Sequence, residues 1–202
     1  NTDFEEKVTL IYEKYEKKLK ANNSVDFDDL LILPINLFRT NPDVLKKYQE
    51  RFQYILIDEY QDTNEAQYIL TKLLCAKNRR ITCVGDDSQS IYSFRGANYK
   101  NILNFENDYK DAKTILLEEN YRSTSTILDA ANQVIKNNKM RKDKNLWTAR
   151  GVGDKIKYYR AYNEKDEAQY VIRKVKELIN RGVEYQDIVV LYRTNAQSRV
   201  IE

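Results

Sequence analysis

An apolar run that ends at two adjacent carboxylates is the part of this sequence best suited to chemistry. Residues 54–57 read Tyr-Ile-Leu-Ile, and Asp58 and Glu59 follow them directly. A run of this length predicts a buried parallel strand, with a buried helix segment as the alternative. In an open α/β sheet, ligands bind beyond the carboxyl ends of the strands. There Asp58 would hold Mg²⁺, directly or through water, and Glu59 would align and deprotonate an attacking water.

The same two acids also allow a purely structural interpretation. The strand would then end in solvated carboxylates, and Asp62 or Thr63 would cap the helix that follows. On the four residues at 58–61 alone, both interpretations stay open.

A second predicted strand, at residues 81–85, also ends at acids, Asp86 and Asp87. If the two strands are neighbours in one sheet, these acids lie beside the carboxylates at 58–59. Gln89 follows two residues later, and its amide both donates and accepts hydrogen bonds. Such a side chain suits contact with a terminal phosphate or with the water that attacks it.

Two aromatic residues and an arginine follow within four positions, at Tyr92, Phe94 and Arg95. Aromatic faces interleaved with cations bind single-stranded nucleic acid, because every base offers a π-face. Packing of Tyr92 and Phe94 in the core is the alternative, and it is the commoner fate of an isolated aromatic pair. The polar Ser93 and the flanking Gly96 favour a loop over a core strand.

A third predicted strand, at residues 114–118, leads to Tyr121 and Arg122 and then to a helix whose start is rich in Ser and Thr. At such a junction Arg122 would reach a phosphate in the manner of an arginine finger. A salt bridge with Glu118 or Glu119 is the alternative. Tyr121 would either stack on a nucleobase or pack against the protein.

The composition excludes several kinds of site. The chain of 202 residues is 32% charged and 42% hydrophobic, which is ordinary for a globular protein of one large or two small domains. It contains no histidine, so a histidine-ligated metal site and a histidine-based triad are excluded. A net charge of +3 is too small to indicate nucleic-acid binding by itself.

The cysteines and the apolar runs indicate an intracellular protein. Cys75 and Cys83 each lie in an apolar segment and are expected to be reduced core residues. No apolar run approaches the length of a membrane span, and no secretory signal is present.

Strands and helices are predicted to alternate along the chain, which implies parallel sheets covered on both faces. Pro34 is expected to kink or split the second helix. Helices are predicted at 4–19, 26–38, 41–51, 64–76, 98–105, 124–137 and 164–181, and strands at 54–57, 81–85, 114–118, 155–161 and 188–192.

A basic segment at residues 136–144 contains five lysines and arginines. Contact with phosphates is one interpretation. A solvated surface is the favoured one, because this is the usual role of a charge run.

The motifs together resemble the UvrD/Rep/PcrA-like helicases of superfamily 1, most nearly the bacterial PcrA/UvrD type. The resemblance covers nearly the whole chain from about Phe4. Its motifs are Val-Asp-Phe-Asp-Asp-Leu at 25–30, Asp-Glu-Tyr-Gln-Asp at 58–62, the segment 85–97 that begins Gly-Asp and ends Arg-Gly-Ala, Asn-Tyr-Arg-Ser at 120–123, and Val-Leu-Tyr-Arg-Thr-Asn-Ala-Gln-Ser-Arg at 190–199.

The resemblance implies an α/β fold with RecA-like, P-loop NTPase-type parallel sheets and flanking helices. Residues 1–22 would end an inserted helical subdomain. Residues 23–112 would form the second half of the first RecA-like lobe, and residues 113–202 the beginning of the second.

The resemblance also implies a role for each residue at the nucleotide. Asp58 would coordinate Mg²⁺, and Glu59 would be the catalytic base of ATP hydrolysis. Gln89 would contact the γ-phosphate and couple the nucleotide state to DNA. Arg122, from the second lobe, would reach the γ-phosphate across the interlobe cleft, and Tyr121 would stack on the adenine.

On the DNA side, Tyr92 and Phe94 would stack on bases of the single strand with support from Arg95, and Arg193 and Asn195 would touch the strand. The family usually carries Trp at the position of Phe94, so stacking there is expected to be weaker. Ser88 stands where the family usually has another Asp, which is a tolerated loop change.

The implied activity is that of an ATP-dependent DNA helicase that moves 3′ to 5′ with ATP and Mg²⁺. Its partners would be single-stranded DNA, duplex junctions and repair or replication proteins, in the cytoplasm at the nucleoid and without a membrane. A helicase–nuclease subunit of the AddA/RecB sort is one alternative. A non-catalytic nucleic-acid-binding module that kept the fold is the other.

No Gly-x-x-x-x-Gly-Lys-[Ser/Thr] phosphate loop occurs in the 202 residues. It is expected to lie before Asn1, and the later motifs of the family after Glu202. The isolated 202 residues are therefore expected to show no ATPase activity above background.

Overall fold

Two short parallel strands form the sheet in a computed structural model that describes residues 2–202. Strand β1 (Ile55–Ile57) pairs with β2 (Ile81–Cys83), with Ile57 opposite Cys83. The amide of Val84 donates to the carbonyl of Ile57 over 2.8 Å and extends the pairing beyond β2. Since the strands are parallel, both carboxyl ends meet at one edge of the sheet. The predictions of strands at 54–57 and 81–85 are confirmed.

Helices are the main secondary structure of the rest, so the fold is a mixed one with a small parallel sheet and suits an α/β protein. The helices in residues 2–202 are α1 (Asp3–Ala21), α2 (Asp29–Thr40), α3 (Pro42–Arg51), α4 (Glu65–Cys75), α5 (Lys100–Leu103), α6 (Phe105–Asp108), α7 (Ser125–Ile135), α8 (Glu164–Ile179) and α9 (Asn195–Ile201).

Helix α4 connects the two strands and begins at a reciprocal cap. The side chain of Asn64 accepts from the amide of Gln67, and the Gln67 side chain accepts from the amide of Asn64, both over 2.9 Å. This capping box satisfies two amide donors that the first turn would otherwise leave unpaired. The cap is therefore Asn64, and the sequence alternative of Asp62 or Thr63 as the cap is wrong.

One part of the core lies where α2 and α3 pack against α4. Ile35, Phe38 and Cys75 are buried there, and the rings of Phe38 and Tyr48 are 5.3 Å apart. Burial of such side chains stabilises the fold by about 1.5–3 kcal/mol each. The side chain of Gln49, also buried, donates to the carbonyl of Leu73 over 2.8 Å.

A second part of the core lies behind the carboxyl edge of the sheet. Tyr60 is almost completely buried and meets Phe105 edge to face at 5.8 Å, and Phe105 lies 4.8 Å from Tyr109. Burial raises the pKa of the Tyr60 hydroxyl. This aromatic cluster supports the turn that follows β1.

Most predicted helices are confirmed, with end shifts of one to three residues. Helix α2 continues through Pro34, so the expected split there is wrong. The helix predicted at 98–105 divides into α5 and α6, because Asn104 ends one and begins the other. Helix α9 was not predicted.

The strands predicted at 114–118, 155–161 and 188–192 are wrong. None of these segments forms a ladder of hydrogen bonds within residues 2–202, and the single bridge nearby pairs Glu119 with Trp147. Their apolar side chains, among them Leu117, Tyr158 and Leu191, are strongly exposed. A strand requires a hydrogen-bonding neighbour, which an apolar pattern by itself does not supply. The expected full RecA-like sheets are therefore not formed by these residues.

Candidate active site

The carboxyl edge of the sheet opens into a cavity of about 530 Å³. Asp58 and Glu59 follow β1, and Asp86 and Gln89 follow β2, so four polar side chains from two loops face one space. Lys144, from a distant part of the chain, completes the polar wall. The acids after β1 and the acids after β2 therefore lie close together, as expected for neighbouring parallel strands.

The backbone turns sharply at the two acids after β1. Glu59 adopts the left-handed conformation, with φ +50° and ψ +42°. This conformation costs about 1–2 kcal/mol for a residue with a Cβ. The Glu59 amide donates to Oδ1 of Asp58 over 2.9 Å. The strained turn exposes both carboxylates at the mouth of the cavity, and such strain is often found at functional sites.

Gln61 holds the Glu59 side chain and joins the two acidic loops. It is 1% exposed, and its Nε2 donates to Oε2 of Glu59 over 2.8 Å. Its Oε1 accepts from the amide of Asp86 over 2.9 Å, and its carbonyl accepts from the hydroxyl of Ser90. Gln61 was not predicted from the sequence as a site residue. The sequence feature that could have indicated its role is the position of this neutral amide between two acids, Glu59 and Asp62.

Gly85 allows this close approach, and it carries a prediction about stability. A Cβ at this position would lie 2.5 Å from Oε1 of Gln61 and 2.8 Å from Cδ1 of Ile102. Gly85→Ala is therefore expected to lower the free energy of unfolding by about 1–3 kcal/mol, as overpacking does. Chemical denaturation measures the change. Adding Ile102→Val removes Cδ1 and is expected to recover part of the loss, whereas a strictly additive double variant would contradict the steric account.

The second acidic loop is held by its own hydrogen bonds. Oδ1 of Asp86 accepts from the amide of Ser88 over 2.9 Å, and Oδ2 accepts from Nε2 of Gln89 over 2.8 Å. Burial alone would raise the pKa of Asp86, but hydrogen bonds from Lys144, Gln89 and the Ser88 amide keep that pKa below its usual value. Asp86 is thus a charged anchor for the Gln89 amide.

The basic segment at 136–144 reaches this loop. The ammonium of Lys144 contacts Oδ1 of Asp86 and lies 3.5 Å from Oδ1 of Asp87, and its side chain is only 16% exposed. The interpretation of this segment as a solvated surface is therefore wrong for Lys144. Sequence reasoning missed the contact because the partners are separated by 58 positions.

The aromatic loop lies at the surface. The rings of Tyr92 and Phe94 are 6.0 Å apart, and the guanidinium of Arg95 lies 5.4 Å and 5.5 Å from their centroids. Phe94 is 70% exposed. Gly96 ends the turn with φ +85°, a conformation that favours glycine. The alternative of core packing for this pair is wrong, and the group offers exposed π-faces next to a cation.

Tyr121 and Arg122 are not among the residues that line the cavity. The hydroxyl of Tyr121 donates to Oε2 of Glu119 over 2.7 Å, and this hydrogen bond raises the pKa of Tyr121. Arg122 is exposed, and within residues 2–202 only its backbone, not its guanidinium, takes part in hydrogen bonds. The expected alternative of a salt bridge to Glu118 or Glu119 is therefore not formed.

Arg193 and Asn195 lie at the start of α9, the short helix that packs against α8. Both are exposed, and the amide of Arg193 donates to Oε1 of Gln197 over 2.9 Å. The same Gln197 side chain caps the helix together with Thr194. Neither predicted DNA residue lines the cavity at Asp58.

Family models match nearly the whole chain. The model described as the UvrD/REP helicase N-terminal domain matches residues 1–110, and the model described as the UvrD-like helicase C-terminal domain matches residues 115–202. The chain belongs to the UvrD/REP helicase family.

Similar proteins of this family carry the name ATP-dependent DNA helicase PcrA. The protein of that name from Staphylococcus aureus (strain NCTC 8325 / PS 47) is 57% identical over 195 residues, and that from Staphylococcus epidermidis (strain ATCC 12228 / FDA PCI 1200) is 55% identical over the same length. Each alignment covers 96% of this chain and 27% of the relative, so the chain spans about a quarter of the length of these proteins.

The residues of the cavity could hold a magnesium ion only if water and substrate phosphates supplied most of its ligands. Within residues 2–202 no group of three or more acidic or thiol side chains is placed to hold a metal. Mg²⁺ usually keeps several waters and binds one or two carboxylates together with substrate phosphates. The exposed carboxylate of Asp58 at the cavity mouth matches that requirement. Bound there, the ion would neutralise phosphate charge.

The cysteines of this helicase-family chain lie on two different elements, α4 and β2. Cys75 and Cys83 are both free thiols. Cys75 is buried, as predicted, whereas Cys83 is only partly buried and is not a core residue. Burial raises the pKa of the Cys83 thiol to about 12, which favours the protonated thiol at neutral pH. None of the helices described in residues 2–202 has the length and apolar character of a membrane span.

Proposed function

We propose that the full-length protein is an ATP-dependent DNA helicase that moves 3′ to 5′ along single-stranded DNA and unwinds duplexes. The observation that carries the proposal is the convergence of Asp58, Glu59, Asp86 and Gln89 on one cavity at the carboxyl edge of a parallel sheet. Membership of the UvrD/REP family and similarity to proteins named ATP-dependent DNA helicase support it.

In this proposal Asp58 binds Mg²⁺ and Glu59 accepts the proton of the water that attacks the γ-phosphate of ATP. Gln89, held by Asp86, contacts the γ-phosphate. Binding of ATP draws Arg122 towards the acids, and hydrolysis releases it. Tyr121 stacks on the adenine. The exposure of Arg122 and the absence of side-chain partners for it in residues 2–202 leave it available for that movement.

The domain arrangement is part of the proposal. Residues 1–22 end an inserted helical subdomain, residues 23–112 belong to a first RecA-like lobe, and residues 113–202 begin a second. Opening and closing of the cleft between the lobes would convert ATP turnover into movement along the strand. The site of action is the bacterial cytoplasm, at single-stranded DNA and duplex junctions met in repair or replication.

On the DNA side, Tyr92 and Phe94 stack on bases, Arg95 supports them, and Arg193 and Asn195 contact the strand. Three observations support this role for the aromatic loop: its exposure, the 6.0 Å ring spacing, and the guanidinium beside both rings. A base inserted against such faces is stabilised by stacking and by the cation.

Substitution of Phe94 tests this assignment. Phe94→Ala is expected to weaken binding of the full-length protein to an oligo-dT strand by about 1–3 kcal/mol, the usual contribution of one stacked base. Phe94→Trp, with a larger π-face, is expected to bind more tightly than the natural protein. Fluorescence anisotropy at one fixed salt concentration measures both affinities.

Phe4→Ala is the matched control, because Phe4 is also strongly exposed but lies in α1, outside the aromatic loop and the family motifs. It is expected to bind as the natural protein does. Equal losses for the two alanine variants would contradict a specific stacking role for Phe94.

Directional unwinding tests the proposed function as a whole. A duplex with a 3′ single-stranded tail is expected to be unwound by the full-length protein in the presence of ATP and Mg²⁺, and one with a 5′ tail is expected to remain paired. Strand release is followed by gel or by fluorescence. Failure to unwind either substrate, or unwinding from the 5′ tail alone, would refute the proposal.

A helicase–nuclease subunit and a non-catalytic nucleic-acid-binding module, the two alternative functions, receive less support than a helicase. The matching family models and the relatives reported above are named as helicases, and none is named as a helicase–nuclease subunit. The full-length protein would be a non-catalytic module if it bound DNA but did not hydrolyse ATP in these assays.

A further inference from the structure

The basic segment at 136–144 contacts the second acidic loop, which follows β2, through the side chain of Lys144. Lys144 contacts two consecutive carboxylates, Asp86 and Asp87. The side chain of Asp87 is only 4% exposed and that of Lys144 only 16%, so both charges are largely withdrawn from water. A buried carboxylate requires a cation or several donors. Lys144 is the cation that the fold supplies.

Asp86 connects this lysine to Gln89. One carboxylate oxygen of Asp86 accepts from Lys144 and the Ser88 amide, and the other accepts from Nε2 of Gln89 over 2.8 Å. The carboxylate therefore has a donor on each oxygen, and its orientation is set from both sides. Lys144 is the only charged donor of the three, so without its ammonium two neutral donors alone would hold the carboxylate that accepts from Gln89.

Asp87 fastens the basic segment in place. Its Oδ2 accepts from the backbone amide of Lys142 over 2.6 Å, and its Oδ1 faces Lys144. The Lys142 side chain turns away and pairs with Glu106 over 2.7 Å. Two adjacent carboxylates after β2 thus bind a backbone amide and a lysine that lie 55 and 58 positions further along the chain.

We propose that Lys144 is a positioning residue that orients Gln89 through Asp86. The segment at 136–144, in the part of the chain proposed to begin the second lobe, thereby determines whether Gln89 is aligned with the terminal phosphate. The inference rests on the proposed function, since it assigns to Lys144 a role at the ATP site. A solely structural lysine would stabilise the loop without affecting how the site distinguishes ATP from ADP.

The test uses the full-length protein and compares Lys144→Met with Lys142→Met. Lys144→Met is expected to lower kcat of DNA-stimulated ATP hydrolysis about tenfold to hundredfold, the range expected when a site group is displaced. The affinity for a non-hydrolysable ATP analogue relative to ADP is expected to fall about fivefold, which corresponds to one lost hydrogen bond. Lys142→Met, whose lost ion pair with Glu106 lies outside the cavity, is expected to keep both values.

Two further variants separate positioning from general stability. Lys144→Arg keeps the cation and is expected to recover most of the lost turnover. In the double variant Lys144→Met with Gln89→Ala, the two losses are expected not to add, because both act through the same amide. Strictly additive losses, or an unchanged preference for the ATP analogue over ADP in Lys144→Met, would overturn the positioning role.

Circular dichroism and gel filtration establish that each variant is folded. Should Lys144→Met fail to fold, Lys144→Gln, which keeps a hydrogen-bond donor without the charge, is measured in its place against the same two outcomes. Glu59→Gln separates this proposal from the proposed function. Turnover that Glu59→Gln abolishes supports the ATPase whatever Lys144 does, whereas a full-length protein without turnover overturns both.

Discussion

Glu59→Gln in the full-length protein is expected to lower the rate of ATP hydrolysis by about 10²–10⁴-fold, the usual contribution of a general base. Glutamine keeps the size and the hydrogen-bonding capacity of the side chain but cannot accept the proton of the attacking water. Because Gln61 Nε2 would still find an oxygen at position 59, the strained turn is expected to survive. Phosphate release at saturating ATP and DNA measures the rate.

Binding of ATP is expected to be retained in this variant, since the loss concerns the chemical step rather than the bound state. Titration with a fluorescent ATP analogue measures it. Glu65→Gln is the matched control, because Glu65 is an exposed acid in the first turn of α4 and does not line the cavity. Turnover in Glu59→Gln close to that of Glu65→Gln would exclude Glu59 as the base.

Arg122→Ala is expected to lower kcat by about 10³-fold or more, as does removal of an arginine that stabilises charge on a transferring phosphoryl group. The effect on folding is expected to stay within about 0.5 kcal/mol, because the guanidinium has no hydrogen bond or ion pair in the described residues. A large loss of activity with little loss of stability is the signature of a residue that acts only in catalysis.

Arg122→Lys is expected to recover little of that activity, because an ammonium cannot present the two parallel donors of a guanidinium. Arg160→Ala is the control, since Arg160 is an exposed arginine further along the chain. Steady-state ATPase assays and thermal melting are measured on all three variants. A kcat within about threefold of the natural value in Arg122→Ala would remove Arg122 from the catalytic site, because a finger contributes far more than that.

Of the five strands predicted from apolar runs, only two form in the structure, β1 and β2. The runs before Asp58 and Asp86 predicted the two strands that form, because each has the other as a hydrogen-bonding neighbour. The run at 114–118 has the same apolar character, yet it forms no ladder in residues 2–202. The hydrophobic pattern of a segment indicates which of its faces is buried. Formation of a strand also requires a neighbouring strand to hydrogen-bond with, and the pattern does not identify that neighbour.

Some residues of the candidate site were predicted from the sequence, and others were found only in the structure. Asp86 and Asp87 were predicted to lie beside Asp58 and Glu59 if the two strands are neighbours, since parallel strands place their carboxyl ends at one edge. Lys144 and Gln61 were not assigned to the site. The contact of Lys144 depends on chain reversal over 58 residues, and the role of Gln61 depends on its burial under Gly85.

The amino-acid sequence by itself determined the family, the acids at the strand ends, the exposed aromatic loop and most of the helices, because these depend on local spacing and on motifs in a fixed order. The tertiary structure decided which apolar runs become strands, that Lys144 neutralises Asp86 and Asp87, and that Gln61 orients Glu59. These features depend on burial and on the pairing of distant charges, because a half-buried carboxylate takes the nearest cation that the folded chain presents.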